Sequence, residues 1–242
     1  MNSTKLVRVG HKGAHAMHPG NTLESFDTAL ATGVDMIEFD ILPSSPRDPH
    51  SPLVLAHDLD DIHSRTPVTL TDALDHLASP RFDGIDFDVD LKIPGYEARV
   101  ARALTERNLQ SRSLVSSQYE RSLEAMKRAA PEIRVGWSVP KASRDWTKNP
   151  ITMLPAFAMV MWLRRALPAQ AADRIRRGVI DCVMAHWCVA TEQLNDAVRE
   201  AGGELFVWTV DDADRMQSLI NIGVAGIISN DPRLFQTALI TA

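Results

Sequence analysis

The chain has 242 residues, of which 45% are apolar and 24% charged. That composition suits a folded globular protein and excludes disordered, collagenous and multi-span membrane classes. Against 26 basic side chains stand 31 acidic ones, a net charge of −5, so no overall basic field draws nucleic acid or an anionic membrane surface.

Lys5 and Arg8 frame only Leu6 and Val7, too short an apolar run for a secretory leader, and a cytoplasmic location is expected. Short β-branched runs then alternate with helical-period segments. The strands are expected at Leu6–Gly10, Met36–Ile41, Ile85–Leu91, Ser113–Ser116, Arg134–Ser138, Val179–Ala185, Leu205–Thr209 and Gly226–Ser229. Helices are expected between most of them, at Asn21–Thr32, Tyr96–Asn108, Tyr119–Ala130, Thr191–Ala201 and Asp211–Ile222, with polar starts or glycine stops. Eight strand-helix alternations predict an α/β fold, a (β/α)8 TIM barrel spanning 1–242 as one domain, with a doubly wound open sheet as the alternative.

Two places break the rhythm. After Ile41, Pro43, Pro46, Pro49 and Pro52 forbid a helix, so Leu53 to His57 should fold back as a hairpin-like return after strand 2, carrying His57 to the top of the barrel. The segment 139–178, between strands 5 and 6, holds the apolar run Leu154–Leu163 followed by Arg164 and Arg165 and is expected to be a helical excursion. The run is too short to cross a bilayer. Cys182 and Cys188 lie near one apolar run, and free buried thiols are expected rather than a staple.

Chemistry concentrates on two strands. Side chains alternate along a strand, so Glu38 and Asp40 share one face, as do Asp88, Asp90 and Lys92. Carboxylates turned into a barrel need compensation, and two strands offering them in one plane point to a shared hard cation, Mg²⁺ or Ca²⁺. His11 ends the first strand and His57 ends the return segment. Two imidazoles flanking a phosphorus centre can serve as base to the nucleophile and acid to the leaving oxygen. His15, His18, His50, His63, His76 and His186 are read as surface or hydrogen-bonded core residues.

These residues sit in a series of segments: His-Lys-Gly at 11–13, Pro-Gly-Asn-Thr-Leu-Glu-Ser-Phe at 19–26, Gly-Val-Asp-Met-Ile-Glu-Phe-Asp at 33–40 and Ala-His-Asp at 56–58. Thr-Leu-Thr-Asp-Ala-Leu at 69–74, Asp-Leu-Lys at 90–92, Val-Trp-Thr-Val-Asp at 207–211 and Gly-Val-Ala-Gly-Ile-Ile-Ser-Asn-Asp-Pro at 223–232 follow. Their order and spacing over nearly the whole chain resemble the glycerophosphodiester phosphodiesterases, among the phospholipase-C-like phosphodiesterase barrels. The resemblance implies hydrolysis of a small glycerophosphodiester to glycerol 3-phosphate and an alcohol. It implies a divalent metal on Glu38, Asp40 and Asp90, His11 and His57 as the catalytic pair, Lys92 on the phosphate and Trp208 beside the substrate.

The chain departs from the family pattern at three positions. Lys12 replaces the usual arginine, a point charge in place of a bidentate fork on the phosphate. Gly20 replaces a glutamate, and Asp90 is one methylene shorter than the usual glutamate, as in the related phospholipase D toxins. The family's capping insertion after the second histidine is nearly absent. Trp146, Met153, Phe157, Met159, Met161 and Trp162 are then a candidate wall for an apolar leaving group, or simply helix packing. Two alternative functions follow: phospholipase D-like action on lysolipids, and a non-catalytic barrel that binds a phosphate ligand.

Overall fold

In a computed structural model of the chain, the described residues are 5–140 and 150–240, with side chains described for all of these but 150–156, 239 and 240. The strands and helices run in chain order β1 (Val7–Gly10), α1 (Leu23–Thr32), β2 (Met36–Pro43), β3 (Leu53–Leu55), α2 (Leu59–Ser64), α3 (Leu70–Leu77), β4 (Asp86–Leu91), α4 (Glu97–Thr105) and β5 (Ser113–Ser117). They continue with α5 (Glu120–Ala129), β6 (Arg134–Val139), α6 (Pro150–Arg176), β7 (Cys182–His186), α7 (Glu192–Glu200), β8 (Glu204–Trp208), α8 (Ala213–Asn221), β9 (Gly226–Ser229) and α9 (Leu234–Ile240).

Eight strands pair in parallel, and β1 bonds both β2 and β9, which closes the cylinder. The expected TIM barrel is the observed fold. The proline-rich segment returns as β3, antiparallel to β2 with Ile41 opposite Leu55 and Pro43 opposite Leu53, as the hairpin reading requires. Helices start where short polar side chains supply an acceptor: Thr22, Asp58, Thr69, Thr191 and Asp212 each take a backbone N–H of the first turn. The strand expected from Val179 begins only at Cys182, because the Asp181 carboxylate takes the Val135 N–H at 2.7 Å.

Strand alternation divides the apolar residues into two layers. Phe39, Ile41, Phe87, Val89, Val183, Val207 and Ile227 point outward and are buried against Phe26, Leu74, Val100, Leu123, Leu194 and Met216 of the helices. Val9, Met36, Leu114, Cys182, Met184, Phe206 and Ile228 point inward and plug the barrel. The mouth above that plug, at the strands' C-terminal ends, is where such barrels carry chemistry. Cys182 is buried and Cys188 half-buried, both free. Of the expected excursion, 150–176 is helix α6; 141–149, with Trp146, and the side chain of Met153 lie outside the described residues.

Candidate active site

The register of β2 on β4 sets Glu38 beside Asp88 and Asp40 beside Asp90, so four carboxylates enter the barrel from two adjacent strands. Glu38, Asp40 and Asp88 are at most 4% exposed. Ligand oxygens of Glu38, Asp40 and Asp90 lie within 4.8 Å of one another, the spacing expected of ligands on one ion. Lys92, two residues beyond Asp90, places Nζ 2.5 Å from Asp40 Oδ1 and 2.6 Å from Asp90 Oδ2. Tyr96 fixes the strand exit: its hydroxyl donates to the Ile41 carbonyl at 2.5 Å and accepts the Lys92 N–H at 3.1 Å.

The exit of β1 wraps this cluster. Lys12 and Gly13 adopt positive φ, 52° and 83°, a bend in which the Lys12 N–H reaches Glu38 Oε2 at 2.8 Å and the Gly13 N–H reaches the Glu38 carbonyl at 3.2 Å. A Cβ on Gly13 would fall 2.5 Å from Ser25 Oγ, so only glycine lets β1 approach α1 this closely. Lys12 Nζ lies 3.4 Å from Asp40 Oδ2. Asn21, just ahead of the Thr22 cap, donates to that same oxygen and accepts the Asp40 N–H, both at 3.0 Å. Gly20 leaves no space for a side chain: a Cβ there would meet His15 Nδ1 and Lys12 Cβ at 2.7 Å.

The electrostatics follow from burial and partners. Burial works against an ionised Asp40, yet Lys92 and Lys12 hold its pKa well below the usual carboxylate range. Burial and then the Asp40 charge push Glu38 well above it. Asp88 is pushed up to about 8, first by burial and then by Asp90, and its Oδ1 has no hydrogen-bond partner. Lys92 is disfavoured by burial but raised by Asp40 and Asp90. Two lysines therefore leave part of the buried acid uncompensated. Three hard oxygen donors from rigid strands, with an excess of buried carboxylate around them, fit a divalent cation.

His11 Nδ1 is 2.6 Å from Asn230 Oδ1. The amide nitrogen of Asn230 donates to Asp211 Oδ2 at 2.6 Å and its backbone N–H to Asp211 Oδ1 at 2.8 Å. With its oxygen turned to the imidazole, Asn230 accepts from Nδ1–H, which leaves Nε2 as the lone-pair nitrogen, 3.8 Å from Glu38 Oε2. Burial, reinforced by Lys12, pushes His11 down to about 4. His57 stands apart from the packed cluster, its side chain 54% exposed and its Nδ1 3.0 Å from Asp58 Oδ2.

Across the mouth, Trp208 gives its indole N–H to the Met184 carbonyl at 2.8 Å and sets its ring against His186, centroids 5.1 Å apart at 78°. His186 follows Cys182 and Met184 on the inward face of β7 and lines the same wall. Sequence reasoning set His186 aside and gave no part to Asn230 or Asp211; the i+2 alternation and the Ser-Asn-Asp-Pro and Val-Trp-Thr-Val-Asp segments were the signals available. Phe157, Met159 and Trp162 of α6 are 65%, 51% and 60% exposed, facing solvent, whereas Val160 and Leu163 pack on the core. Among the described residues no helix is long and apolar enough to cross a membrane.

A model of the glycerophosphoryl diester phosphodiesterase family matches residues 11–74 and 63–234. A glycerophosphodiester phosphodiesterase of Caldanaerobacter subterraneus subsp. tengcongensis is 25% identical, with 94% of this chain and 95% of that protein covered. One from Arabidopsis thaliana is 24% identical over 93% of this chain and 71% of its own length. The solved phosphodiesterase of Oleispira antarctica in complex with the product sn-glycerol-3-phosphate superposes with a TM-score of 0.69 at 20% identity, with 96% of both chains covered. A glycerophosphodiester phosphodiesterase structure from Parabacteroides distasonis gives 0.73 at 18% identity, with 99% of both covered. The family match thus runs from the first histidine of the site through Asn230, and the chain belongs to the glycerophosphoryl diester phosphodiesterase family.

Proposed function

We propose that this barrel hydrolyses small glycerophosphodiesters to glycerol 3-phosphate and an alcohol, with His11 and His57 as the proton-transfer pair on either side of the phosphorus. The observation that carries the reading is the grouping of Glu38, Asp40 and Asp90 within 4.8 Å, beside a buried imidazole with a fixed tautomer. Those three carboxylates would hold Mg²⁺ or Ca²⁺, which supplies Lewis-acid polarisation of a phosphoryl oxygen and neutralises its charge. Lys92 and Lys12 put ammonium groups beside the same position and stabilise charge that grows on the non-bridging oxygens.

His11 Nε2 takes the proton of the attacking hydroxyl as the new P–O bond forms. Asn230 keeps Nδ1 protonated during that step, and Asp211 holds Asn230 in place. His57, with Nδ1 against Asp58, protonates the departing alkoxide as the old P–O bond breaks. Trp208 has spent its N–H on Met184, so it meets substrate only through its ring, as a wall with His186 on the alcohol side. Lysolipid substrates are the second reading, favoured by Asp90 in place of the longer glutamate.

Phosphorus NMR of the products from glycerophosphocholine and its lysolipid, with EDTA and metal add-back, tests this reading. Glycerol 3-phosphate should appear, vanish on chelation and return with one ion, and an early cyclic phosphate would identify the neighbouring glycerol hydroxyl as nucleophile. Unchanged glycerophosphocholine, or turnover indifferent to EDTA, would overturn it.

A further inference from the structure

Helix α6 is 27 residues long, whereas among the described residues no other helix exceeds 10. It must start at the catalytic end of the barrel, because it leaves the top of β6 and returns to the bottom of β7. Its level there is fixed by Arg164, whose Nε donates to the Cys188 carbonyl at 2.8 Å, two residues past the end of β7. Residues 150–163 therefore extend from that level to the catalytic side, a length of about 20 Å at 1.5 Å per residue.

At Phe157 the helix rises clear of the core, above Val160 and Leu163, which still pack on it. Phe157 and Ala171 are fourteen residues apart, about four turns, and so share one stripe; Ala171 is fully buried, while Phe157 is 65% exposed. Met159 and Trp162 are more than half exposed on other faces. Phe157, Met159 and Trp162, exposed within two turns of helix on a stretch that carries no charge above Arg164, have the character of an interfacial element rather than a core helix. Charge favours a lipid partner over a second copy of an acidic chain: between Asn149 and Ala172 the charged residues are Arg164 and Arg165, and the next acid is Asp173. Arg165 is exposed, immediately below the apolar tip.

We propose that the upper half of α6 docks this protein on a phospholipid surface, with Phe157, Met159 and Trp162 in the acyl boundary and Arg165 among the headgroup phosphates, so that the barrel mouth faces the lipid. The net charge of −5 sets the long-range field, but at contact the local charge within a Debye length decides. The proposal rests on the phosphodiesterase reading for its biological sense, and its test does not, since binding is measured without turnover.

The test is flotation of the full chain with vesicles of phosphatidylcholine alone and with one quarter phosphatidylglycerol. The wild type should float with both and more strongly with the anionic mixture. Phe157→Ser/Met159→Ser/Trp162→Ser should lose at least about tenfold in partitioning, with hydrolysis of free glycerophosphocholine unchanged. Arg165→Glu should lose the anionic preference and keep the zwitterionic binding. A wild type that stays at the bottom with both vesicles overturns the proposal, as does a triple variant that floats like the wild type. A wild-type dimer that the triple variant converts to monomer, without vesicle binding, would make this face an interface between copies and also overturn it. Failure to hydrolyse glycerophosphocholine in solution would count against the site reading and leave flotation unaffected.

Discussion

The two halves of the barrel mouth sit at one height and could hardly differ more. On the β1–β2–β4 side stand Glu38, Asp40, Asp88 and Asp90 with Lys12, Lys92 and His11, nearly all drawn into mutual contact. On the β7–β8 side stand Met184, His186 and Trp208, with the Trp208 N–H on the Met184 carbonyl and His186 Nδ1 against Cys188. The first half is built to meet charge, and is held in tension by more buried acid than its lysines answer. The second presents the faces of two rings, Trp208 and His186, packed edge to face. A phosphodiester has the same asymmetry, an anionic phosphorus between two organic arms, and under the proposed function the acidic half would take the phosphorus and the ring-lined half an organic arm.

Removing a proton carrier should break the comparison hardest. His11→Ala is expected to cost about 10²–10⁴ in kcat, read by phosphorus NMR, while Trp208→Phe, on the opposite half, should act mainly through KM. Comparable kcat losses from both would erase the division of labour.

The charge balance gives the next largest effect. Lys92→Met leaves Asp40 and Asp90 without their 2.5–2.6 Å partner and is expected to destabilise the protein by about 3–5 kcal/mol in urea unfolding with EDTA. Added Mg²⁺ or Ca²⁺ should recover part of that loss, because a bound cation answers the same carboxylates. Unchanged stability would mean that the lysine does not hold the acids together.

Positioning comes third. Asn230→Ala removes the acceptor that fixes His11 Nδ1–H and should lower kcat about 10–100-fold. KM should be unchanged and metal affinity, by calorimetry, retained. Loss of metal affinity instead would place Asn230 in the framework of the acidic cluster rather than in the orientation of the base.

The smallest expected effect lies at the barrel's far end and serves as a control on the mouth. There Asp35 is bound by Arg8 at 2.7 Å and by Lys5. Burial opposes its charge, but the Arg8 hydrogen bonds outweigh it and hold the pKa down to about 2. A depressed carboxyl stabilises the fold above its unfolded value near 4 and loses that contribution as pH falls through 2. Asp35→Asn should therefore cost about 1–2 kcal/mol at pH 7, after allowance for partial exposure, and almost nothing at pH 2. Activity per folded molecule should not change.

Much of this was legible before any coordinates. The alternation of Glu38 with Asp40 and of Asp88 with Asp90 and Lys92 settles which residues share a face, because a strand offers only two. The prolines from Pro43 to Pro52 settle that the segment after β2 is no helix, and β3 returns beside β2 accordingly. Thr22, Thr191 and Asp212 mark helix starts by chemistry that needs no tertiary partner. Less legible were contacts between residues far apart in the chain. Nothing local to Asn230 says that its side chain will meet His11, 219 positions earlier, and nothing near Gly20 says that His15 and Lys12 will occupy the space where a side chain would go.

The amino-acid order by itself therefore determined the repeating strand-helix architecture, the faces on which the acids lie and the family to which the chain belongs, since periodicity, capping and motif order are local and need only neighbours. Tertiary structure alone decided the register that brings Asp40 to Asp90, the tautomer of His11, the wall made by His186 and Trp208, and the exposure of Phe157 above the buried Ala171. Those outcomes depend on closure of the barrel, which fixes distances between strands that no one-dimensional pattern specifies.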